Sequence, residues 1–206
     1  MLKLALIGPP HSGKSTIATA WLGIHPKGED TAKLSFAEHL RWEVAEAFCL
    51  REDLDCQDLY FRLGDQSQKA KWRSLLQAWG QSRRDNVDEN YWVDPVFARI
   101  KYLETRQYAR CAVDDCRYPN EYAMLKNRGF TIIRLEPGPD TFQQLTDDQR
   151  VHQSEEHWPR FEYDYFLTYE EGAAHQARRI EDWLGKRLPE TSTKRAAEGQ
   201  PDQPDA

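Results

Sequence analysis

The stretch Leu2–Leu22, LKLALIGPPHSGKSTIATAWL, decides the fold of this chain. It opens with a short run that is apolar except for Lys3, which is typical of a buried strand. The run ends at Gly8, and apolar residues recur at helical spacing from Ile17 onward. Between them lies Gly8–Ser15, GPPHSGKS, which fits the pattern G-x-x-x-x-G-K-[ST]. A strand, this loop and a helix in that order predict a binding site for a phosphate chain.

The residue types of the loop suit phosphate oxygens. Gly8 and Gly13 let the backbone curl so that its N–H groups point inward, and the following helix adds the partial positive charge of its N-terminus. Lys14 supplies a point charge for the β- and γ-phosphates, and Ser15 offers a hydroxyl to Mg²⁺. We therefore expect a nucleoside triphosphate with Mg²⁺ as the ligand of this loop. The predicted cofactor-binding residues are Gly8, Pro9, Pro10, His11, Ser12, Gly13, Lys14, Ser15 and Thr16.

Strands and helices alternate along the rest of the chain. Apolar runs predict strands at 32–36, 111–113, 130–135 and 163–169, and helical spacing predicts helices at 37–49, within 53–82, and at 93–108, 120–128 and 173–188. This alternation predicts an α/β fold with a parallel sheet.

Length and composition limit the classes of function. A chain of 206 residues suggests one folded domain, which we place at 1–188. Residues 189–206 contain three prolines and no Leu, Ile, Val or aromatic residue, so we expect a disordered tail there.

The net charge of −6 argues against a protein devoted to non-specific nucleic-acid binding. With no long apolar run and no C-x-x-C pair, we expect a cytoplasmic protein with reduced thiols and no membrane partner.

A second predicted strand ends in two acidic residues. The run at 111–113 is followed by Asp114 and Asp115 and then by Arg117. An apolar strand ending in Asp is the usual partner of a phosphate-binding loop and holds Mg²⁺ directly or through water. Asp114 and Asp115 point to opposite faces if the strand continues, so one of them is expected to face the phosphates. Arg117 follows the strand end, where α/β sheets bind their ligands.

An ordered set of motifs across residues 2–172 resembles the bacteriophage deoxynucleoside monophosphate (dNMP) kinases, which are P-loop nucleotide kinases. The motifs are the P-loop, Phe36–Arg41 (FAEHLR), Leu76–Gln81 (LQAWGQ), Arg84, Tyr91–Val93 (YWV), Asp115–Glu121 (DCRYPNE), His152–Glu155 (HQSE) and residues 163–172. The P-loop alone is common to many families, whereas the ordered set is much more specific.

The resemblance implies a P-loop nucleotide-kinase fold with helices on both faces of the sheet. It also implies transfer of the γ-phosphoryl group of ATP to a dNMP, which yields a dNDP and ADP. By position, Ser15 and Asp115 would hold the metal. The implied catalytic residues are Lys14, Asp115, Arg117 and Arg150, and the implied acceptor-binding residues are Arg41, Arg84, Arg117 and Glu121. Arginine suits the acceptor site because its planar guanidinium binds phosphate in a bidentate way.

The segment around HQSE has two interpretations. Arg150 precedes it and would close over the transferring phosphate as a lid arginine. Ser154 and Glu155 equally fit a helix cap, with the serine as the capping residue and the glutamate in the first turn.

Two alternative functions remain open. Some phage kinases that share this scaffold phosphorylate the hydroxyl of 5-hydroxymethyluracil within DNA during thymidine hypermodification. The basic stretch Lys69–Arg84, which also holds Trp72 and Trp79, would suit a DNA strand, although it would equally suit an acceptor phosphate. The other alternative is a non-catalytic nucleotide-binding switch, which needs the loop and metal but no acceptor arginines. The chain is compatible with a monomer or an oligomer.

Overall fold

A computed structural model describes residues 1–25, 30–52, 55–65, 67–139 and 154–187. The strands are β1 (Leu2–Ile7), β2 (Thr31–Leu34), β3 (Arg110–Val113), β4 (Thr131–Leu135) and β5 (Tyr165–Leu167). The helices are α1 (Lys14–Gly23), α2 (Phe36–Glu52), α3 (Cys56–Gly64), α4 (Lys69–Asn86), α5 (Val93–Thr105), α6 (Pro119–Asn127), α7 (Ser154–His157) and α8 (Ala173–Arg187). The predicted tail, 189–206, lies outside the described residues.

The five strands form one parallel sheet in the order β2-β3-β1-β4-β5. The central strand β1 pairs with β3 on one side and with β4 on the other, so that Leu4 lies opposite Ala112 and Thr131. The predicted α/β fold with a parallel sheet is confirmed. The predicted strand at 32–36 ends earlier, at Leu34, because Phe36 already begins α2.

Helices cover both faces of the sheet, as predicted. Leu4 and Leu6 of β1 pack against α1 and α8, whereas Ala5 and Ile7 pack against α5 and α6. β3 alternates in the same way: Ala112 lies on the face that carries α1. This period of two is the ordinary alternation of side chains along a strand.

A third apolar cluster joins α2, α3 and α4 beside the sheet. Val44, Leu59 and Leu63 are buried in it, and Trp72 and Trp79 of α4 pack against it. These two tryptophans therefore help to form a helical layer of the protein. The same layer forms one wall of the site described below.

The connections of the sheet create a crevice at its carboxyl edge. The chain leaves β1 through α1 and returns at β2, while it leaves β3 through α6 and returns at β4. Because α1 and α6 lie on opposite faces, the loops after β1 and β3 separate and leave an opening between them. This topology brings the 8–13 loop and the 114–118 segment to one place.

No helix in the described part of the chain is long and apolar enough to cross a membrane. All four cysteines fall within the described residues, and each is a free thiol. Burial raises the pKa of Cys111 to about 12 and that of Cys116 well above its usual value. We therefore expect both thiols to stay protonated at neutral pH.

Candidate active site

The 8–13 loop has the backbone conformation that its glycines permit. Gly8 has φ +151° and Gly13 has φ +81°. A Cβ atom on Gly8 would lie 3.2 Å from Ser12 Oγ and 3.3 Å from the carbonyl oxygen of Leu135, so a side chain there would crowd the loop against β4. His11 adopts φ +62° although it carries a side chain. Such strained residues cluster where backbone is shaped around a ligand.

Lys14 lies against the loop that precedes it. Its Nζ donates to the carbonyl oxygen of Gly8 at 2.8 Å and to that of Pro9 at 2.5 Å. Ser12 Oγ also donates to the Pro9 carbonyl, at 2.8 Å. These bonds hold the ammonium within the loop.

Pro10 precedes His11 in the loop, and Thr16 is exposed on the first turn of α1.

Asp114, and not Asp115, lies toward the P-loop. Lys33 Nζ donates to Ser15 Oγ at 2.7 Å and lies 3.5 Å from Asp114 Oδ2, so it connects the first turn of α1 to the end of β3. Asp114 is only 8 % exposed. The physical reason is strand alternation, since Asp114 follows Ala112 on the face that carries α1.

Asp115 points to the other face and caps α2. Its carboxylate accepts hydrogen bonds from Ser35 Oγ at 2.6 Å and from the backbone N–H groups of Phe36 and Ala37 at 3.0 and 2.9 Å. Burial and the charge of Asp114 raise the pKa of Asp115, although these hydrogen bonds act in the opposite direction. The geometry does not support Asp115 as the metal ligand, because both of its oxygens are bonded to the start of α2.

The Ser15 hydroxyl and the Asp114 carboxylate fit a Mg²⁺ ion that accompanies a phosphate chain. Both are oxygen donors, the type that Mg²⁺ prefers, and phosphate oxygens and water complete the octahedron in such sites. Among the described residues there is no group of three or more His, Cys, Asp or Glu that could hold a metal ion. A cation held here would therefore depend on the nucleotide for most of its ligands.

Glu121 organises the segment after β3. Its Oε2 accepts from the backbone N–H groups of Arg117 and Tyr118 at 2.8 and 3.1 Å, and its Oε1 accepts from Arg84 Nη2 at 3.3 Å. The Arg84 guanidinium lies 3.9 Å from the centroid of the Tyr118 ring. Glu121 is 2 % exposed, so it does not fit the predicted role of a direct acceptor ligand. It is a positioning residue that holds Arg84 beside the Arg117 backbone.

The buried Glu121 predicts a pH dependence of stability. Burial and the charge of Asp115 raise its pKa from 4.5 to about 7, although bonds from Arg117 and Tyr118 and the Arg84 charge oppose the rise. Between these two values the native state binds more protons than the unfolded state, so the free energy of unfolding falls as pH rises. The interval corresponds to about 3 kcal/mol. We expect Glu121→Gln to remove this decline.

Urea denaturation of both proteins at pH 5 and pH 7.5 tests the expectation. The wild type should lose about 2 kcal/mol more than Glu121→Gln between the two pH values, because pH 5 lies above the lower end of the interval. Loss of the Arg84 ion pair changes the free energy of unfolding of the variant by the same amount at both pH values. It therefore adds no pH dependence of its own. Equal slopes in the two proteins would contradict a buried, titrating carboxyl at this position.

A cavity of about 500 Å³ lies between α2, α4 and the segment before α5. Its lining residues are His39, Trp42, Glu43, Glu46, Arg83 and Tyr91. Glu43 accepts hydrogen bonds from Arg83 Nε at 2.5 Å and from Trp79 Nε1 and Tyr91 OH at 2.9 Å each. Burial alone would raise the pKa of Glu43, but hydrogen bonds from Trp79, Tyr91 and Arg83 outweigh it and lower the pKa.

Glu43 and Arg83 are absent from the residues predicted by sequence. Arg83 carried a partial signal, because it precedes Arg84 in the basic stretch. Glu43 carried none: its partners Trp79, Arg83 and Tyr91 lie 36 to 48 residues away in the chain. Only the packing of α2 against α4 and against the segment before α5 brings these groups together.

Arg41 faces a different cavity from the one that Glu43 lines. Its guanidinium lies 5.6 Å from the Tyr60 ring centroid, and it shares a cavity of about 280 Å³ with residues of α3 and Asp65. His39 and Glu43 are four residues apart on one face of α2, whereas Arg41 lies two residues from each and so points away. The structure thus groups Arg84 and the Arg117 backbone around Glu121 but does not bring Arg41 to them. Arg150 lies outside the described residues.

Comparison with known proteins gives a structural similarity but no sequence match. No protein-family model and no curated protein matches the chain. The solved structures similar to it include a shikimate kinase from Acinetobacter baumannii in complex with shikimate, with 12% sequence identity and a TM-score of 0.49. That similarity covers 91% of this chain and 94% of the other. The chain itself has a P-loop α/β fold, as its own sheet and loop establish.

Proposed function

We propose that this chain is a Mg²⁺-dependent phosphotransferase that moves the γ-phosphoryl group of ATP to a dNMP, which yields a dNDP and ADP. One observation carries the proposal. A phosphate-binding loop with its lysine, a Ser15–Asp114 oxygen pair, and Arg84 held beside the Arg117 segment meet at one sheet edge. The first two parts suit a donor nucleotide, and the arginines suit a second, negatively charged substrate.

The donor half would work by positioning and by neutralising charge. Lys14 and the N–H groups at the start of α1 would bind the β- and γ-phosphates. Ser15 and Asp114 would hold the Mg²⁺ ion, which neutralises the charge that develops as the phosphoryl group moves. No covalent intermediate with the protein is required, because the acceptor attacks the γ-phosphorus directly.

The acceptor half combines guanidinium groups with the 500 Å³ cavity. That volume is within the range of about 300–1,000 Å³ of small-molecule sites. Phe36 at the start of α2 is bonded to Asp115, and Glu43 follows seven residues later, about 10 Å along the helix axis. A nucleotide whose phosphate meets Arg84 and Arg117 would place its base toward this cavity, between Trp42 and Tyr91. A phosphate acceptor is already a nucleophile, so the site needs no general base.

The basic stretch of α4 favours a free nucleotide over DNA as the acceptor. Its last two arginines are each paired with a carboxylate of the protein, Arg83 with Glu43 at 2.5 Å and Arg84 with Glu121 at 3.3 Å. Trp79 donates to Glu43 and packs in the α2–α3–α4 cluster. Arg83 and Trp79 are thus both bonded to Glu43 and are poorly placed to follow a DNA strand, whereas Arg84 lies beside the Arg117 segment.

A transfer assay with γ-labelled ATP tests the proposed function. The purified protein is incubated with each dNMP in turn and, separately, with duplex DNA that contains 5-hydroxymethyluracil. We expect label in a dNDP. Label retained in the DNA would establish the base kinase instead. Binding of ATP with label in neither acceptor would favour a nucleotide-binding switch.

We expect Arg117→Ala to act on the acceptor. Losing a charge-assisted hydrogen bond to phosphate costs about 1.5–3 kcal/mol, so the KM for the dNMP should rise about 10- to 100-fold. The KM for ATP should change little. Arg99→Ala is the matched control, because Arg99 is an exposed arginine on α5 that stacks 4.9 Å from the Tyr102 ring centroid. Unchanged kcat and dNMP KM in Arg117→Ala would contradict the acceptor role.

A further inference from the structure

Lys33 lies between the two oxygen ligands that suit a divalent cation. Its Nζ is 2.7 Å from Ser15 Oγ and 3.5 Å from Asp114 Oδ2. No part of the P-loop motif includes Lys33, which stands near the end of β2. Its side chain is 38% exposed, whereas that of Asp114 is 9% exposed. The ammonium is thus the mobile partner of a buried carboxylate.

An ammonium and a divalent cation would compete for this oxygen pair. Mg²⁺ binds its oxygen ligands at about 2.0–2.1 Å. An ion bound to Ser15 Oγ would therefore lie no more than about 4.8 Å from the present position of Lys33 Nζ, given the 2.7 Å bond between those atoms. Both groups are positively charged and would share the Asp114 carboxylate. Charge repulsion at this distance favours departure of Lys33 when the ion binds both oxygens.

We propose that Lys33 and the divalent cation exchange at the Ser15–Asp114 pair, so that Lys33 weakens metal binding until the cation displaces it. The identity of the cation as the one that accompanies ATP rests on the proposed function. The exchange itself rests on the two distances above. The long, partly exposed lysine stem lets the ammonium move into solvent without disturbing β2.

The consequence is a site that holds a cation poorly on its own. While Lys33 compensates the Asp114 charge, a free cation gains little by binding. Once phosphate oxygens supply further ligands, the cation outcompetes the single ammonium. Lys33 thereby couples the arrival of metal to the arrival of nucleotide.

Mn²⁺ binding to the full-length protein without nucleotide, followed by electron paramagnetic resonance, tests the exchange. We expect Lys33→Met to bind one Mn²⁺ about tenfold or more tightly than the wild type. Adding Asp114→Asn to Lys33→Met should abolish that gain. Lys126→Met is the matched control, because Lys126 also lies 3.5 Å from its carboxylate, Asp164, with a 36% exposed side chain. Its Mn²⁺ affinity should equal that of the wild type.

Equal Mn²⁺ affinity in the wild type and Lys33→Met would overturn the proposal, as would a gain that survives Asp114→Asn. A second measurement needs no variant: acylation of lysines in the wild type by an amine reagent, followed by mass spectrometry. Lys33 should react several-fold faster when Mg²⁺ is added, while Lys126 should not change. Unchanged Lys33 reactivity at saturating Mg²⁺ would overturn the exchange. These readouts do not involve phosphoryl transfer, so a failure of the proposed kinase activity is distinguished from a failure of this inference.

Discussion

Replacing Lys14 with methionine is expected to lower γ-phosphoryl transfer by about 10³-fold while the protein remains folded. The methionine keeps most of the aliphatic stem and removes the ammonium that would neutralise the β- and γ-phosphates. It also removes the bonds to the carbonyl oxygens of Gly8 and Pro9. The bond between Ser12 Oγ and the Pro9 carbonyl remains, and the buried core of β1 is untouched. The loss should therefore appear in kcat/KM for ATP and not in the unfolding curve.

Single-turnover transfer from γ-labelled ATP measures the effect, with near-ultraviolet circular dichroism as the check on folding. Lys101→Met is the matched control, because Lys101 is exposed on α5 and lies 5.5 Å from the Phe97 ring centroid. It should transfer phosphate at the wild-type rate. A folded Lys14→Met protein with normal turnover would show that the loop does not bind the donor nucleotide.

The second large effect separates the two adjacent aspartates. We expect Asp114→Asn to lower kcat about 10²-fold in Mg²⁺, because it removes the carboxylate beside Ser15, with little change in stability. Asp115→Asn should instead destabilise the protein by about 1–3 kcal/mol. Asparagine keeps one accepting oxygen, so its NH₂ would face at least one of the donors that now bond the carboxylate, namely Ser35 Oγ and the N–H groups of Phe36 and Ala37.

Both variants are compared by the Mg²⁺ dependence of kcat and by urea denaturation. The expected pattern is an activity defect in Asp114→Asn and a stability defect in Asp115→Asn. The reverse pattern, with Asp115→Asn folded normally but inactive and Asp114→Asn active, would restore Asp115 as the metal ligand. It would also show that the first turn of α2 is capped by other groups.

The fold was largely predictable because its signals are local. The strands are short apolar runs and most helices show apolar residues at helical spacing, so both signals lie within each element, and alternation of the two types predicts a parallel sheet. The errors are at element ends, where long-range bonds decide. Phe36 joins α2 because Asp115, 79 residues away, accepts its N–H group. No property of residues 32–36 indicates that contact.

The sequence indicated the phosphate-binding loop, but the arrangement of the groups around it depends on packing. Asp114 and Asp115 point to opposite faces by simple alternation, but the choice between them depends on which face α1 covers, and that is a property of the packed sheet. Arg84 reaches Glu121 across 37 residues, and Glu43 reaches Tyr91 across 48. Arg41 matched a motif position yet lies on the other face of α2.

The sequence by itself determined the P-loop, since strand, glycines, lysine and serine are contiguous and their geometry depends on neighbouring dihedral angles. The tertiary structure alone decided which aspartate meets Ser15, that Lys33 stands between them, and that Glu121 is a buried support for Arg84. Those outcomes depend on contacts between residues far apart in the chain. Such contacts form only once each helix has packed against one face of the sheet. Local periodicity does not encode which face that is.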